Sequence, residues 1–224
     1  MPSQSDFSHL NAAATTTLTN ILRDESISDI FIGGYATSIL GGGRVTKDID
    51  LIVDKNCRSL LLQCPKITKS EDKRLVYHHR GTKVHIDLEV MGAVTWTMNP
   101  RTTRVHTVAP ANYPRRQLNT MVPILRPSIL LLTKLLPWKE ADQATRVASH
   151  IRARTDLTDI RTILQWLVDK KAHIDFFGLP GIPKGKLMRL LGRLYRAEQR
   201  PRPYLSLTLS ADEMRDALTA KETN

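Results

Sequence analysis

The sequence predicts a mixed α/β (α+β) fold: a small mixed sheet flanked by helices, followed by a helical C-terminal half. Before residue 91, short apolar runs alternate with polar residues and end near glycines, as is typical of strands. After residue 127, apolar residues recur every three or four positions, which predicts helices. We therefore expect two domains in the 224-residue chain, at residues 1–125 and 126–224.

Each element is predicted from its local pattern. The first half should contain helices at 7–25, 35–41 and 56–63, and strands at 30–32, 47–53, 74–79, 83–90 and 104–108. The second half should contain helices at 128–136, 141–153, 156–170, 184–199 and 211–221. A hairpin turn is expected at Gly81. Residues 91–127 hold five prolines and are interpreted as a connector that covers the sheet.

Charge and composition narrow the class of protein. The formal net charge is +11, which favours polyanionic partners, although a solubilising surface charge explains it equally well. The chain has only two cysteines, so no disulfide framework is expected. The N-terminus lacks the pattern of a signal peptide, and no apolar run is long enough for a bilayer. We expect a soluble, intracellular (cytoplasmic) protein.

Two carboxylates share one face of the strand at 47–53. Because side chains alternate along a strand, Asp48 and Asp50 point the same way, while Ile49 and Leu51 point to the core. Carboxylates side by side repel each other, and a hard cation such as Mg²⁺ relieves that repulsion. The strand is therefore a candidate metal site.

A second strand repeats the pattern. His85, Asp87 and Glu89 lie on one face of the strand at 83–90, opposite apolar residues. If the two strands are neighbours, three or four carboxylates converge. Such a cluster suits two-metal phosphoryl transfer, in which one ion activates a hydroxyl and the other holds a triphosphate.

The segment before these strands fits phosphate binding. Gly33 and Gly34 follow a short strand and precede a helix, so the backbone can approach a phosphate closely. Arg44 and Thr46 lie just upstream of Asp48 and offer a guanidinium and a hydroxyl for triphosphate oxygens. Each piece alone more often marks a turn or a solvated face; their order and spacing together favour catalysis.

These motifs resemble a known family. The series Gly33-Gly34, Arg44-x-Thr46-x-Asp48-x-Asp50 and a later Ile86-Asp87-Leu88 is similar to the signature of DNA polymerase β-type nucleotidyltransferases, and most similar to the minimal branch that includes abortive-infection (AbiEii-like) toxin nucleotidyltransferases. The resemblance implies a nucleotidyltransferase fold, NTP as substrate and Mg²⁺ (or Mn²⁺) as cofactor. It implies that Asp48, Asp50 and Asp87 bind metal, with Glu89 as the alternative third ligand.

The resemblance extends downstream. The stretch at 122–135 is similar to the start of the family's helical half, and the run at 156–160 is similar to the Asp-x-x-Asp-Ile motif that follows it. This implies that Lys134 contacts the nucleotide phosphates, and that Asp159 or Asp156 orients the lysine. Tyr35 replaces the serine or threonine usual in the family; we expect it to pack rather than to stack on a base.

The acceptor is suggested by charge alone. Arg189, Arg193, Arg196 and Arg200 recur at helical spacing and would form a basic stripe suited to RNA or a tRNA end. A solvated helix face, or a small hydroxylated acceptor, is the rival interpretation.

Trp138 and Trp166 lie in helical segments and are expected in the core. Two further hypotheses are a non-catalytic nucleotide- or RNA-binding module on the same fold, and a purely RNA-binding protein.

Overall fold

The structure of the chain is a computed structural model that describes residues 4–42, 46–91, 98–110, 118–179 and 181–220. The chain divides into two units. The first comprises residues 1–39 and 43–125, and the second comprises residues 40–42 and 126–224.

A mixed sheet is the centre of the first unit. Its strands are β1 (Asp29–Ile32), β2 (Asp48–Val53), β3 (Ile67–Lys69), β4 (Leu75–His79), β5 (Thr82–Val90), β6 (Val105–Val108) and β7 (Val122–Leu125). Within the described residues, the strand order is β3-β4-β5-β2-β1-β7-β6. The pairs β2–β5 and β1–β7 are parallel, and the other neighbours are antiparallel. The central strand β2 therefore has β5 on one side and β1 on the other.

The helices of the first unit are α1 (Gln4–Asp24), α2 (Gly33–Ile39) and the short α3 (Arg58–Leu61). Helices α1 and α2 pack on the apolar face of the sheet. The hydroxyls of Thr17 in α1 and Tyr77 in β4 lie 3.3 Å apart, and the rings of Phe31 in β1 and Tyr35 in α2 pack edge to face. Since Phe31 pairs with Leu51, this is the face opposite the β2 carboxylates.

The second unit is helical. It contains α4 (Pro127–Gln143), α5 (Val147–Asp169), a 3-10 helix (Phe176–Gly178), α6 (Lys184–Ala197), α7 (Arg202–Thr208) and α8 (Ala211–Thr219). Helix α4 packs along α5, and its buried side includes Leu131, Leu135 and Trp138. Among the described helices, none combines the length and the apolar character that a bilayer crossing requires.

Several boundaries differ from the sequence-based predictions. The two helices predicted at 141–153 and 156–170 are one helix, α5, because the buried Asp156 and Asp159 find a partner in Lys134 and do not interrupt it. Helix α4 continues past Pro137, where a break was expected, and the burial of Trp138 and Ala141 offsets the cost of the proline. Strands β3 and β7 and helix α7 were not predicted, since each is short and lacks a clear period.

The predicted hairpin at Gly81 is present. His79 pairs with Thr82 across a two-residue turn in which Arg80 and Gly81 both have positive φ, at 49° and 75°. This is the backbone that connects tightly paired antiparallel strands. The two cysteines flank α3 and form no disulfide; Cys57 is buried and Cys64 is partly exposed.

Candidate active site

The register between β2 and β5 places the predicted carboxylates side by side. Asp50 pairs with Asp87, and Asp48 pairs with His85. Paired residues on neighbouring strands point to the same face of the sheet, with backbones about 4.8 Å apart. All four side chains are partly exposed, whereas Ile49 between the two aspartates is fully buried. The sheet therefore presents one polar face at this position and an apolar core behind it.

Glu89 lies further along the same face. It pairs with the buried Ile52 of β2, two residues beyond the Asp50–Asp87 pair. Burial raises the pKa of the Glu89 carboxyl, and the neighbouring Asp87 raises it further. Of the two rivals for the third carboxylate, Asp87 is thus the one directly opposite Asp50.

Gly33 is in contact with the Asp50 carboxylate. Ile32 pairs with Asp50, so the chain leaves β1 directly beside this aspartate. Gly33 then begins α2 with a φ of 65°. A Cβ atom on Gly33 would lie 2.8 Å from Asp50 Cγ and 3.2 Å from its Cβ, closer than carbon atoms pack. The first glycine therefore admits the Asp50 side chain, while Gly34 is buried within α2.

Whether these side chains fit a divalent cation depends on their positions and on the atoms that they offer as ligands. Within the described parts of the chain, no three His, Cys, Asp or Glu side chains converge closely enough to hold a metal ion. The Asp50 carboxylate lies against Gly33. However, the backbone register already brings Asp48, Asp50 and Asp87 to one face, and rotation about two side-chain bonds moves a carboxylate by several ångströms. The Nδ1 atom of His85, opposite Asp48, is buried and has no hydrogen-bond partner among the described residues. The donor set and the orphaned nitrogen fit a cation.

Thr46 is held inside the protein. It is buried, and Asn11 of α1 donates its amide N–H to the Thr46 carbonyl (3.1 Å) and to its hydroxyl oxygen (3.3 Å). Tyr35 packs in the core as expected, with its hydroxyl accepting a hydrogen bond from Thr15. Asn11 is not among the residues predicted from the sequence, although its position seven residues before the buried Leu18 places a polar group on the core face of α1. Arg44 lies outside the described residues, and its phosphate contact, like that of Thr46, stays a prediction.

Lys134 belongs to the second unit and lies between two carboxylates of α5. Its Nζ is 2.9 Å from Asp159 Oδ2 and 3.3 Å from Asp156 Oδ1. All three side chains are largely buried, with the lysine 13% exposed. An ammonium group has three N–H donors, so two carboxylates leave one N–H for a further acceptor. The predicted contact between Lys134 and nucleotide phosphate stays a prediction.

The predicted basic stripe on α6 is partly engaged with protein groups. Arg193 Nη2 lies 3.3 Å from Asp142 Oδ2, and Arg196 donates to the Leu218 carbonyl at 3.4 Å. Arg200 is exposed, and Arg189 is partly exposed. The stripe is therefore less free for a phosphate backbone than its sequence spacing suggests, and RNA contact stays a prediction.

A second acidic group lies at the other end of β1 and β2. Asp29 pairs with Val53, three residues from the Asp50 position. Burial raises the pKa of Asp29 to about 7, assisted by the nearby Asp54 carboxylate. Asp54 itself accepts from the Ser28 N–H and pairs with Arg101 Nε at 2.7 Å. Asp29 lies at the opposite end of these strands from Asp50 and does not belong to the carboxylate pair described above.

Comparison with known proteins relates this architecture to solved structures. It is similar to an antigenic nucleotidyltransferase-like protein from Paracoccidioides brasiliensis, with a TM-score of 0.66 and 17% identity over 91% of this chain and 95% of that chain. The antibiotic-resistance factor ANT(2'')-Ia aligns with a TM-score of 0.40 and 12% identity over 73% of this chain and 91% of that chain. No protein-family model and no curated protein matches the sequence. The predicted mixed α/β class is confirmed, and the chain adopts a nucleotidyltransferase-like fold.

Proposed function

We propose that this protein is a divalent-metal-dependent nucleotidyltransferase that transfers a nucleoside monophosphate from an NTP to a hydroxyl acceptor. The observation that carries the proposal is the parallel pairing of Asp50 with Asp87, with Asp48 on the same face. The name of the fungal structure, nucleotidyltransferase-like, agrees with it. We assign the chain to the minimal, AbiEii-like branch on the sequence motifs alone.

The residues have defined parts in this proposal. Asp50 and Asp87 would hold a cation on the acceptor side, and Asp48 and Asp50 a cation on the nucleotide side. Bound there, such ions lower the pKa of a hydroxyl and neutralise phosphate charge. The acceptor hydroxyl gives up its proton to solvent, and its oxygen forms a bond to the α-phosphorus while the bond to the departing pyrophosphate breaks. Gly33 allows the Asp50 carboxylate to lie against the start of α2.

The acceptor we favour is RNA, such as a tRNA end. The net charge of +11 supports a polyanion over a cationic small molecule. Affinity for RNA should then fall steeply as the salt concentration rises, because bound counterions are released from the phosphates. Kinetics that do not respond to salt would instead support a small hydroxylated acceptor.

The direct test uses α-labelled NTPs, Mg²⁺ and total cellular RNA, and measures both label in RNA and pyrophosphate release. Asp50→Asn should abolish turnover with the fold intact. Asp24→Asn is the matched control, because Asp24 is an exposed carboxylate at the end of α1 and should leave turnover unchanged. Full activity in Asp50→Asn would refute the proposal.

A non-catalytic nucleotide-binding module on the same fold is the second candidate. It is favoured by the lack of three converging metal-ligand side chains in the described segments. Calorimetry with Mg²⁺ and each of the four NTPs separates the two functions. Binding without pyrophosphate release during long incubation with RNA would support the module.

A further inference from the structure

A cavity of about 380 Å³ lies within the second unit, beside α5. One side of α5 forms most of its wall, and Tyr204 of α7 and the Leu40–Gly41 segment complete it. Every lining residue belongs to this unit and is described by the structure. The volume is at the lower end of the range for small-molecule sites. None of the proposed metal-binding carboxylates contributes to it.

Arg161 brings an unsatisfied positive group to this cavity. Its side chain lines the wall, and its Nε atom is buried with no hydrogen-bond partner among the described residues. A guanidinium presents its N–H donors in a planar fork that matches the oxygens of phosphate or carboxylate. Arg161 therefore gives the cavity wall a positive charge, and its Nε N–H has no acceptor among the described residues.

Aromatic side chains line the same cavity. Trp166 and Tyr204 both contribute to its wall. The sequence predicted Trp166 as a core residue, yet it is partly exposed here, unlike the buried Trp138. Nucleobases stack on indole and phenol rings with little dependence on base identity. An aromatic wall beside a free guanidinium N–H is the combination that a base linked to a phosphate requires.

A polar pair marks the far end of the cavity. Gln165 donates its side-chain N–H to Asp169 Oδ1 at 2.7 Å, and both residues line the wall. This hydrogen bond fixes the Gln165 amide, so that its oxygen remains able to accept. Asp169 follows Arg161 by eight residues, which is about 12 Å along the helix. Asp169 thus lies about two helical turns from Arg161 and Gln165 about one turn, so a phosphate on Arg161 leaves these two acceptors to the N–H and O–H donors of a base or ribose.

We propose that this cavity binds a nucleoside monophosphate unit, with its phosphate on Arg161 and its base against Trp166 and Tyr204. The positive charge of Arg161 would repel a cationic ligand, and a purely apolar ligand would leave its Nε donor unsatisfied. The net charge of +11 favours anionic ligands in general. The site goes beyond the proposed transferase activity, because it needs neither a metal ion nor Asp48, Asp50 and Asp87.

The test measures binding of AMP, GMP, CMP and UMP to the full chain by calorimetry in EDTA, which removes any divalent cation. At least one monophosphate should bind, and Arg161→Met should weaken that binding at least tenfold. Arg154→Met is the matched control, because Arg154 is an exposed arginine of the same helix outside the cavity. Asp50→Asn should bind as wild type does, so failure of the proposed transferase chemistry would leave this result unchanged.

A comparison of ligands gives a second readout that does not depend on a variant folding. The wild-type protein should bind a monophosphate at least ten times more tightly than the matching nucleoside. Competition with a short RNA oligonucleotide identifies the source: tighter binding of the oligonucleotide indicates a terminal nucleotide of RNA, and tighter binding of the monophosphate indicates a free nucleotide. No binding of any monophosphate in EDTA, or equal binding by wild type and a folded Arg161→Met, would overturn the proposal.

Discussion

Replacement of Gly33 by alanine tests the geometry of the carboxylate site. Two effects act together at this position. A residue with a Cβ atom at a φ of 65° costs about 1–2 kcal/mol. The new methyl group would also lie 2.8 Å from Asp50 Cγ, so the Asp50 side chain has to leave its position. Displacement to a strained rotamer adds about 0.5–1.5 kcal/mol.

We therefore expect Gly33→Ala to lower the free energy of unfolding by about 1.5–3.5 kcal/mol. The matched control is Gly81→Ala. Gly81 has a similar φ of 75°, but a Cβ atom there meets nothing within 4 Å. The control should therefore cost only the backbone term, about 1–2 kcal/mol. Urea unfolding followed by circular dichroism measures both, and pyrophosphate release should fall in Gly33→Ala alone.

A double-mutant cycle isolates the collision. In an Asp50→Ala background the carboxylate is absent and only the 3.2 Å contact with the Cβ atom of residue 50 remains, so Gly33→Ala should cost less than it does in the wild-type protein. The difference between the two backgrounds is the coupling between Gly33 and Asp50. If Gly33→Ala is no more destabilising than Gly81→Ala, or if the cycle is additive, the close approach of Gly33 to Asp50 has been misinterpreted.

Three further predictions concern individual acids and bases. Lys134→Met removes the ammonium group that lies between the buried carboxylates of Asp156 and Asp159. It should lower the free energy of unfolding in urea by about 3–5 kcal/mol, whereas the exposed Lys170→Met should change it little; equal effects would contradict the role of Lys134. The pKa of Asp29 is raised from its ordinary value of 3.8 to about 7 in the folded protein, so between these pH values the folded state binds more protons than the unfolded state does. The free energy of unfolding should therefore fall as the pH rises from about 4 to 7, by up to about 4 kcal/mol. Asp29→Asn should remove that decline, and an unchanged dependence of the urea midpoint on pH would refute the assignment. For the third carboxylate, Asp87→Asn should abolish pyrophosphate release and Glu89→Gln should retain most of it; the reverse result would make Glu89 the ligand.

The site was largely predictable because strand periodicity is local. The alternation at 47–53 and 83–90 predicts that Asp48 and Asp50 share a face, and that His85, Asp87 and Glu89 share another. The sequence left open whether these two strands are neighbours. Their register favours Asp87 over Glu89 as the proposed third ligand, because it sets Asp87 opposite Asp50 and Glu89 opposite Ile52.

Other features could not be predicted because they depend on contacts between distant residues. The hydrogen bonds from Asn11 to Thr46 join positions 35 residues apart, and they place in the interior a hydroxyl that was expected at a phosphate. The ion pair between Arg193 and Asp142 likewise depends on contact between residues that are distant in the chain. Helical spacing predicts which residues share a face, but not what that face packs against.

The sequence by itself therefore determined the mixed α/β class, the helical second half and the polar faces of two strands, since each of these follows from side-chain periods of 2 and about 3.6. Tertiary structure decided which strands are neighbours, that Gly33 accommodates the Asp50 carboxylate, and that Trp166 and Arg161 line a cavity. The physical reason is that pairing register and cavity shape arise from packing between segments far apart in the chain, for which a local pattern carries no information.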